Sequence, residues 1–87
     1  MMAVWKYPVK VDDRFSVEMP KGAEVLHVDL QRGGVFMWAR VDPAAPPEIR
    51  SFRLAGTGHE LAGDVGRHVG SFMLAGGGLV FHVFEAD

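Results

Sequence analysis

The residues best placed to do chemistry are Gly56-Thr57-Gly58-His59, which interrupt an alternating run that begins at Ser51. Nowhere else does the chain set flexible backbone, a hydroxyl and a titratable ring so close together. Glycine reaches backbone angles closed to other residues, so successive N–H groups at such a turn can converge on an anion. Arg53, just upstream, adds a charge-assisted donor, and Thr57 and His59 add side-chain hydrogen bonds. The expected ligand site is therefore Arg53, Gly56, Thr57, Gly58 and His59, with Trp38 as a flat aromatic surface. The same turn also suits a plain strand end that needs its glycines for geometry, because neither a P-loop lysine nor a clear helix follows.

Other reactive groups form no recognised pattern. His27, Asp29, His59, His82 and Glu85 have ligand-type side chains, but no metal-site spacing links them, so no metal or other cofactor is expected. His82, between Phe81 and Val83, reads as a hydrogen-bonded, half-buried ring. Thr57 and His59 share a face of an extended segment, yet no carboxylate is positioned by sequence to orient the ring, and catalytic residues are expected to be absent. Trp5, Tyr7, Phe36, Trp38 and Phe84 can stack on a nucleobase or fill a core or subunit interface. For Trp38 the interface reading is the stronger, since the other face of its strand is apolar enough to be the core side.

The elements that must position these groups are short strands. Ala3 to Val11 is β-rich, but Pro8 lacks a backbone donor and makes the run an edge or bulged strand. Arg14 to Met19 alternates, with Phe15, Val17 and Met19 on one face, and is expected to close a hairpin with the preceding run, ending at Pro20. In Ala23 to Gln31 the set Glu24, Leu26, Val28 and Leu30 is expected to face the core. Arg32-Gly33-Gly34 supplies a tight hairpin into Val35 to Asp42, whose two faces both carry large apolar groups. The proline-rich stretch 42–48 predicts a loop across an end of the sheet, and Ile49 to Ala55 the strand that delivers the Gly-Thr-Gly-His turn. His59 to Gly70 predicts a loop with at most one helical turn; Ser71 to Ala75 and Leu79 to Glu85 form a last hairpin about Gly76-Gly77-Gly78. The whole is an all-β, mainly antiparallel domain spanning 1–87, a small barrel or sandwich of about seven short strands.

Composition narrows the function classes. A chain of 87 residues with no cysteine has neither disulfides nor thiolate zinc to support a small core, so self-association into a homo-oligomer is expected to cover part of its apolar surface. The formal charge of −2, with basic residues scattered rather than clustered, argues against binding a nucleic acid polymer. No apolar stretch is long enough for a membrane span or a signal-peptide core, so a cytoplasmic protein without membrane contact is expected.

The stretches Trp5-Lys6-Tyr7, Met19-Pro20-Lys21-Gly22-Ala23, Trp38-Ala39, Val41-Asp42-Pro43, Gly56-Thr57-Gly58-His59 and Phe81-His82-Val83-Phe84-Glu85, in this order, resemble a family of short bacteriophage and prophage proteins of unknown function. The resemblance implies a viral origin, a stand-alone domain and a host-cell location, but transfers no catalytic residue. By analogy with small phage anti-defence proteins, it points to a non-catalytic binder of a small anionic ligand such as a cyclic nucleotide signal. A protein-interaction module that inhibits a host factor and a small hydrolase are the alternative classes.

Overall fold

The structure, a computed structural model, describes residues 1–61, 63 and 65–86. Seven strands run β1 (Ala3–Pro8), β2 (Arg14–Pro20), β3 (Glu24–Gln31), β4 (Gly34–Val41), β5 (Pro47–Gly56), β6 (His68–Leu74) and β7 (Leu79–Glu85), with one 3₁₀ turn at Ala75–Gly77. They form two antiparallel sheets, a smaller one in the order β1-β4-β3 and a larger one in the order β2-β5-β7-β6. The inner faces share one apolar core, so the domain is an open sandwich and not a closed barrel. No helix among the described residues is long and apolar enough to cross a membrane.

The alternation of β4 explains the core of the smaller sheet. Val35, Met37, Ala39 and Val41 are buried, whereas Phe36 and Trp38 on the opposite face are half-buried. Phe15 and Met19 from β2, Phe52 and Leu54 from β5, Phe72 from β6 and Val83 from β7 fill the larger sheet's side. Phe15 and Phe52 stack with centroids 5.2 Å apart. The β3–β4 hairpin turns at Arg32 (φ 50°) and Gly33 (φ 83°), consecutive left-handed residues whose twist matches that of the flanking strands.

Three local expectations are corrected. β1 and β2 are not a hairpin: β1 pairs with β4 and β2 with β5, so the chain crosses from one sheet to the other between them. Both strands gain a long apolar partner this way, which a two-stranded ribbon would not supply. In β3 the core face is Val25 and Val28; of the expected set only Val28 is buried, because a bulge between Val25 and His27 inserts Leu26 as an extra residue, turns it to solvent and brings Val25 inward. The strand after the proline loop begins at Pro47 rather than Ile49, with Pro20 and Pro47 paired at the end of the β2–β5 ladder. Neither can donate a ladder hydrogen bond, which suits the end of a ladder. The described residues between His59 and Gly70 form no helix, and Ala62 and Asp64 of that segment lie outside the described residues.

The two long sides of the sandwich differ. On one, β3 and β6 meet closely: a Cβ built at Gly70 would lie 2.9 Å from Val28 Cγ2. Arg50 bridges the sheets near that side, its guanidinium paired with Glu85 and its Nη1 donating to the Ala23 carbonyl at 2.8 Å. On the other side the edge strands β1 and β2 stand apart.

Candidate functional site

β5 ends in a turn whose geometry explains its glycines. His59 N–H donates to the Gly56 carbonyl at 3.0 Å and Gly58 has φ +86°, the pattern of a type II turn with glycine at its third position. Nothing lies within 4 Å of a Cβ built at Gly58, so backbone conformation and not crowding selects glycine there. Gly56 is small for the other reason, since a Cβ on it would lie 2.8 Å from His59 Nδ1. The backbone donors of this turn are mostly committed: Thr57 N–H goes to the Val80 carbonyl at 3.0 Å and His59 N–H closes the turn. The turn therefore offers chiefly side chains, and not a converging nest of amides, to any anion.

Those side chains form a chain across strands. Thr57 Oγ1 lies 2.7 Å from His82 Nε2, His82 Nδ1 lies 2.8 Å from Ser71 Oγ, and Ser71 Oγ lies 3.1 Å from His68 Nε2. Thr57 Oγ1 can also donate to the Val80 carbonyl, at 3.5 Å. With its proton so directed, Thr57 accepts from His82 Nε2–H, Ser71 O–H donates to His82 Nδ1, and His68 Nε2–H donates to Ser71. This polarity gives each of the four side chains a partner within the chain. It also points the Ser71 proton at a base, but among the described residues no carboxylate orients His82, whose partners are the two hydroxyls.

Register places an arginine pair on the same outer face of the larger sheet. Arg14 of β2 is directly opposite Arg53 of β5, and Arg53 is in turn opposite Phe84 of β7. Ala55 is opposite His82, so Arg53 and His82 are diagonal neighbours, with Cα atoms roughly 7–8 Å apart. Among the described residues Arg53 Nε and Nη1 are buried without a hydrogen-bond partner and neither arginine joins an ion pair. A Cβ built at Gly63 would lie 2.9 Å from Arg53 Nη1 and 3.6 Å from Arg14 Nη2, so the backbone there runs close over both guanidinium groups. His68 meets Phe84 edge-on at 5.2 Å.

The expected site residues are thus partly brought together. Gly56, Thr57, Gly58 and His59 share one turn; Gly56, Thr57 and His59 line a cavity of about 200 Å³ with residues of β7. Arg53 is on the same sheet but nearer His82 than His59 in register. Trp38 lies apart, on the outer face of the smaller sheet, 6.0 Å from His27 and 6.3 Å from Phe36 by ring centroids. There Asp29 accepts from the Leu30 N–H at 2.8 Å and sits 3.2 Å from His27 Nε2; first the backbone bond and then the histidine contact hold its carboxyl below the usual range. Among the described residues no three potential ligands gather for a metal. Sequence reasoning missed Arg14, Ser71 and His68. Only the β2–β5 register puts Arg14 beside Arg53, and only the β6–β7 register puts Ser71 beside His82.

A family pattern described as a domain of unknown function, DUF7352, matches residues 1–87. The chain belongs to this family. No curated protein and no solved structure matches it. The DUF7352 match covers every strand of both sheets, so the larger sheet's outer face and the 56–59 turn are parts of the family's domain.

Proposed function

We propose that this protein is a non-catalytic binding protein that holds a small phosphate-bearing molecule on the outer face of its larger sheet. The observation that carries the reading is the directly opposed pair Arg14 and Arg53, with two of Arg53's donor nitrogens enclosed and unpartnered among the described residues. Like charges opposite each other in a sheet are unfavourable, and a bound anion converts that repulsion into a pair of charge-assisted contacts. Thr57, His82, Ser71 and His68 supply hydroxyl and imidazole donors and acceptors beside it, and Phe84 a half-buried aromatic ring. A serine–histidine pair with no orienting carboxylate among the described residues favours holding over hydrolysis. The resemblance to short phage proteins suggests a cyclic nucleotide defence signal as the ligand, sequestered in the host cytoplasm.

The test is a nucleotide panel, followed by denaturation and assay of what is released. Intact release supports sequestration, altered product indicates hydrolysis, and no binding by any phosphate-bearing member overturns the reading. Arg53→Ala should weaken binding by about 1.5–3 kcal/mol, the worth of a hydrogen bond to a charged group, and Thr57→Val by less.

Self-association belongs to the same proposal, through the outer face of the smaller sheet. Trp38 and Phe36 are half-buried there, and Val4 and Leu26 are exposed. A second copy covering this face would offset the small core of an 87-residue chain. Sedimentation that shows only a monomer at micromolar concentration overturns that part.

A further inference from the structure

The open side of the sandwich carries a second candidate site, separate from the larger sheet's outer face. Between edge strands β1 and β2 runs a cleft of about 260 Å³ whose lining includes Trp5, Tyr7, Glu18, Met19, Pro20 and Pro47. Trp5 and Tyr7 are two apart on β1, so both project from its inward side, opposite Ala39 and Met37 in register. Met19, 1% exposed, contributes the apolar interior, and the paired prolines contribute rigid walls. Trp5 remains 42% exposed, which leaves a broad aromatic surface uncovered.

Two polar groups stand out against this lining. The Tyr7 hydroxyl is sealed from solvent and has no hydrogen-bond partner among the described residues. Burial pushes its phenol up, so it stays an O–H donor at neutral pH. Glu18 alternates with buried Met19 and projects from the outer face of β2 at the edge of the cleft; its exposed carboxylate joins no ion pair among the described residues and would accept at the cleft's mouth. A buried hydroxyl without a partner is unfavourable in the empty protein, and a small rotation of Tyr7 toward the cleft it lines would let an entering group satisfy it.

We infer that this cleft binds a small planar heteroaromatic ring bearing both an acceptor for Tyr7 O–H and a donor for Glu18, the chemistry of a nucleobase. Its apolar faces would lie against Trp5 and the two prolines. The volume exceeds the roughly 150 Å³ of an apolar cavity known to admit a benzene-sized ring. A purely apolar ring would leave both polar groups unmatched, and a quaternary ammonium would answer Glu18 but offer nothing to Tyr7. Mostly apolar lining with a few placed polar groups is the usual make-up of small-molecule sites.

The experiment follows the Trp5 indole N–H resonance, assigned with Trp38→Phe, during titration with adenosine, guanosine, cytidine, uridine and, as a ring without an acceptor, indole. At least one nucleoside should shift the resonance saturably, and indole should bind at least tenfold more weakly. Tyr7→Phe should weaken that nucleoside about tenfold while leaving the Tm of the empty protein unchanged or higher, because it removes an unpartnered hydroxyl. Glu18→Gln should weaken it severalfold. Arg53→Ala should leave nucleoside affinity unchanged, which separates this cleft from the proposed phosphate site. The inference is overturned if no nucleoside binds at millimolar concentration, if indole binds as well as the best nucleoside, or if Tyr7→Phe and Glu18→Gln both retain full affinity.

Discussion

The two sides of the sandwich solve the same geometrical problem in opposite ways. Where β3 and β6 meet, a glycine lets one backbone approach Val28 closely, and the Arg50–Glu85 pair reaches across to the Ala23 carbonyl. Where β1 and β2 stand apart, aromatic and proline side chains leave a cleft and a hydroxyl without a partner among the described residues. Close packing and satisfied polar groups stabilise a domain, while an unfilled cleft sacrifices both for access to a ligand. In a chain this small the closed side must compensate for the open one.

The largest test of that contrast is Glu85→Ala on the closed side. It removes the two-pronged carboxylate partner of the Arg50 guanidinium, whose side chain is only 17% exposed, leaves it Glu48 at 3.6 Å, and should cost about 1.5–3 kcal/mol in urea unfolding. Glu85 raises the Arg50 guanidinium further above its already high ordinary value, and arginine stays charged with or without this partner, so the loss should be flat between pH 6 and 8, roughly the physiological range. A loss well under 1 kcal/mol would remove the pair from the closed side's stability.

Gly70→Ala comes next. The new methyl group would meet Val28 Cγ2 at 2.9 Å and the Val28 backbone nitrogen at 3.5 Å, so overpacking should cost about 1–3 kcal/mol. An unchanged Tm would show that the two edges separate without penalty.

Tyr7→Phe on the open side should act in the reverse direction, stabilising the protein by up to about 1 kcal/mol. Because burial raises the phenol's folded pKa, the stability linked to its protonated form is complete below the ordinary value of about 10 and is lost as pH rises through the folded value. The wild type should therefore lose stability more steeply above pH 10 or so than Tyr7→Phe does, which a pH series of thermal melts would reveal.

The smallest effect belongs to neither side. Asp29, exposed on the smaller sheet, has a lowered folded pKa, so its contribution is present above the ordinary carboxylate value and is lost as pH falls through the folded one. Asp29→Asn should shift only the acid limb of unfolding; an equal loss at neutral pH would contradict the assignment.

Much of the local structure was legible from residue types. Arg32-Gly33 takes consecutive left-handed angles, Gly58 takes the left-handed position of its turn, and the alternation of Val35, Met37, Ala39 and Val41 marks the buried face of β4. Each is settled within a few residues. The bulge at Leu26 was not legible, because a one-residue insertion changes no residue's character and only the pairing with β4 reveals it. The candidate site divides the same way: Thr57 and Arg53 were visible as donors near glycines, but their neighbours were not.

The sequence by itself determined an antiparallel β domain, its hairpin turns and most of its apolar faces, since turn chemistry and strand alternation are local properties. Only the tertiary structure decided that β1 leaves β2 for β4, that His68, Ser71, His82 and Thr57 form one chain, that Arg14 opposes Arg53, and that Trp38 faces away from all of them. Those outcomes depend on which distant strands pair and in which register, and a shift of one residue in any pairing would turn the whole set of side chains to the other face.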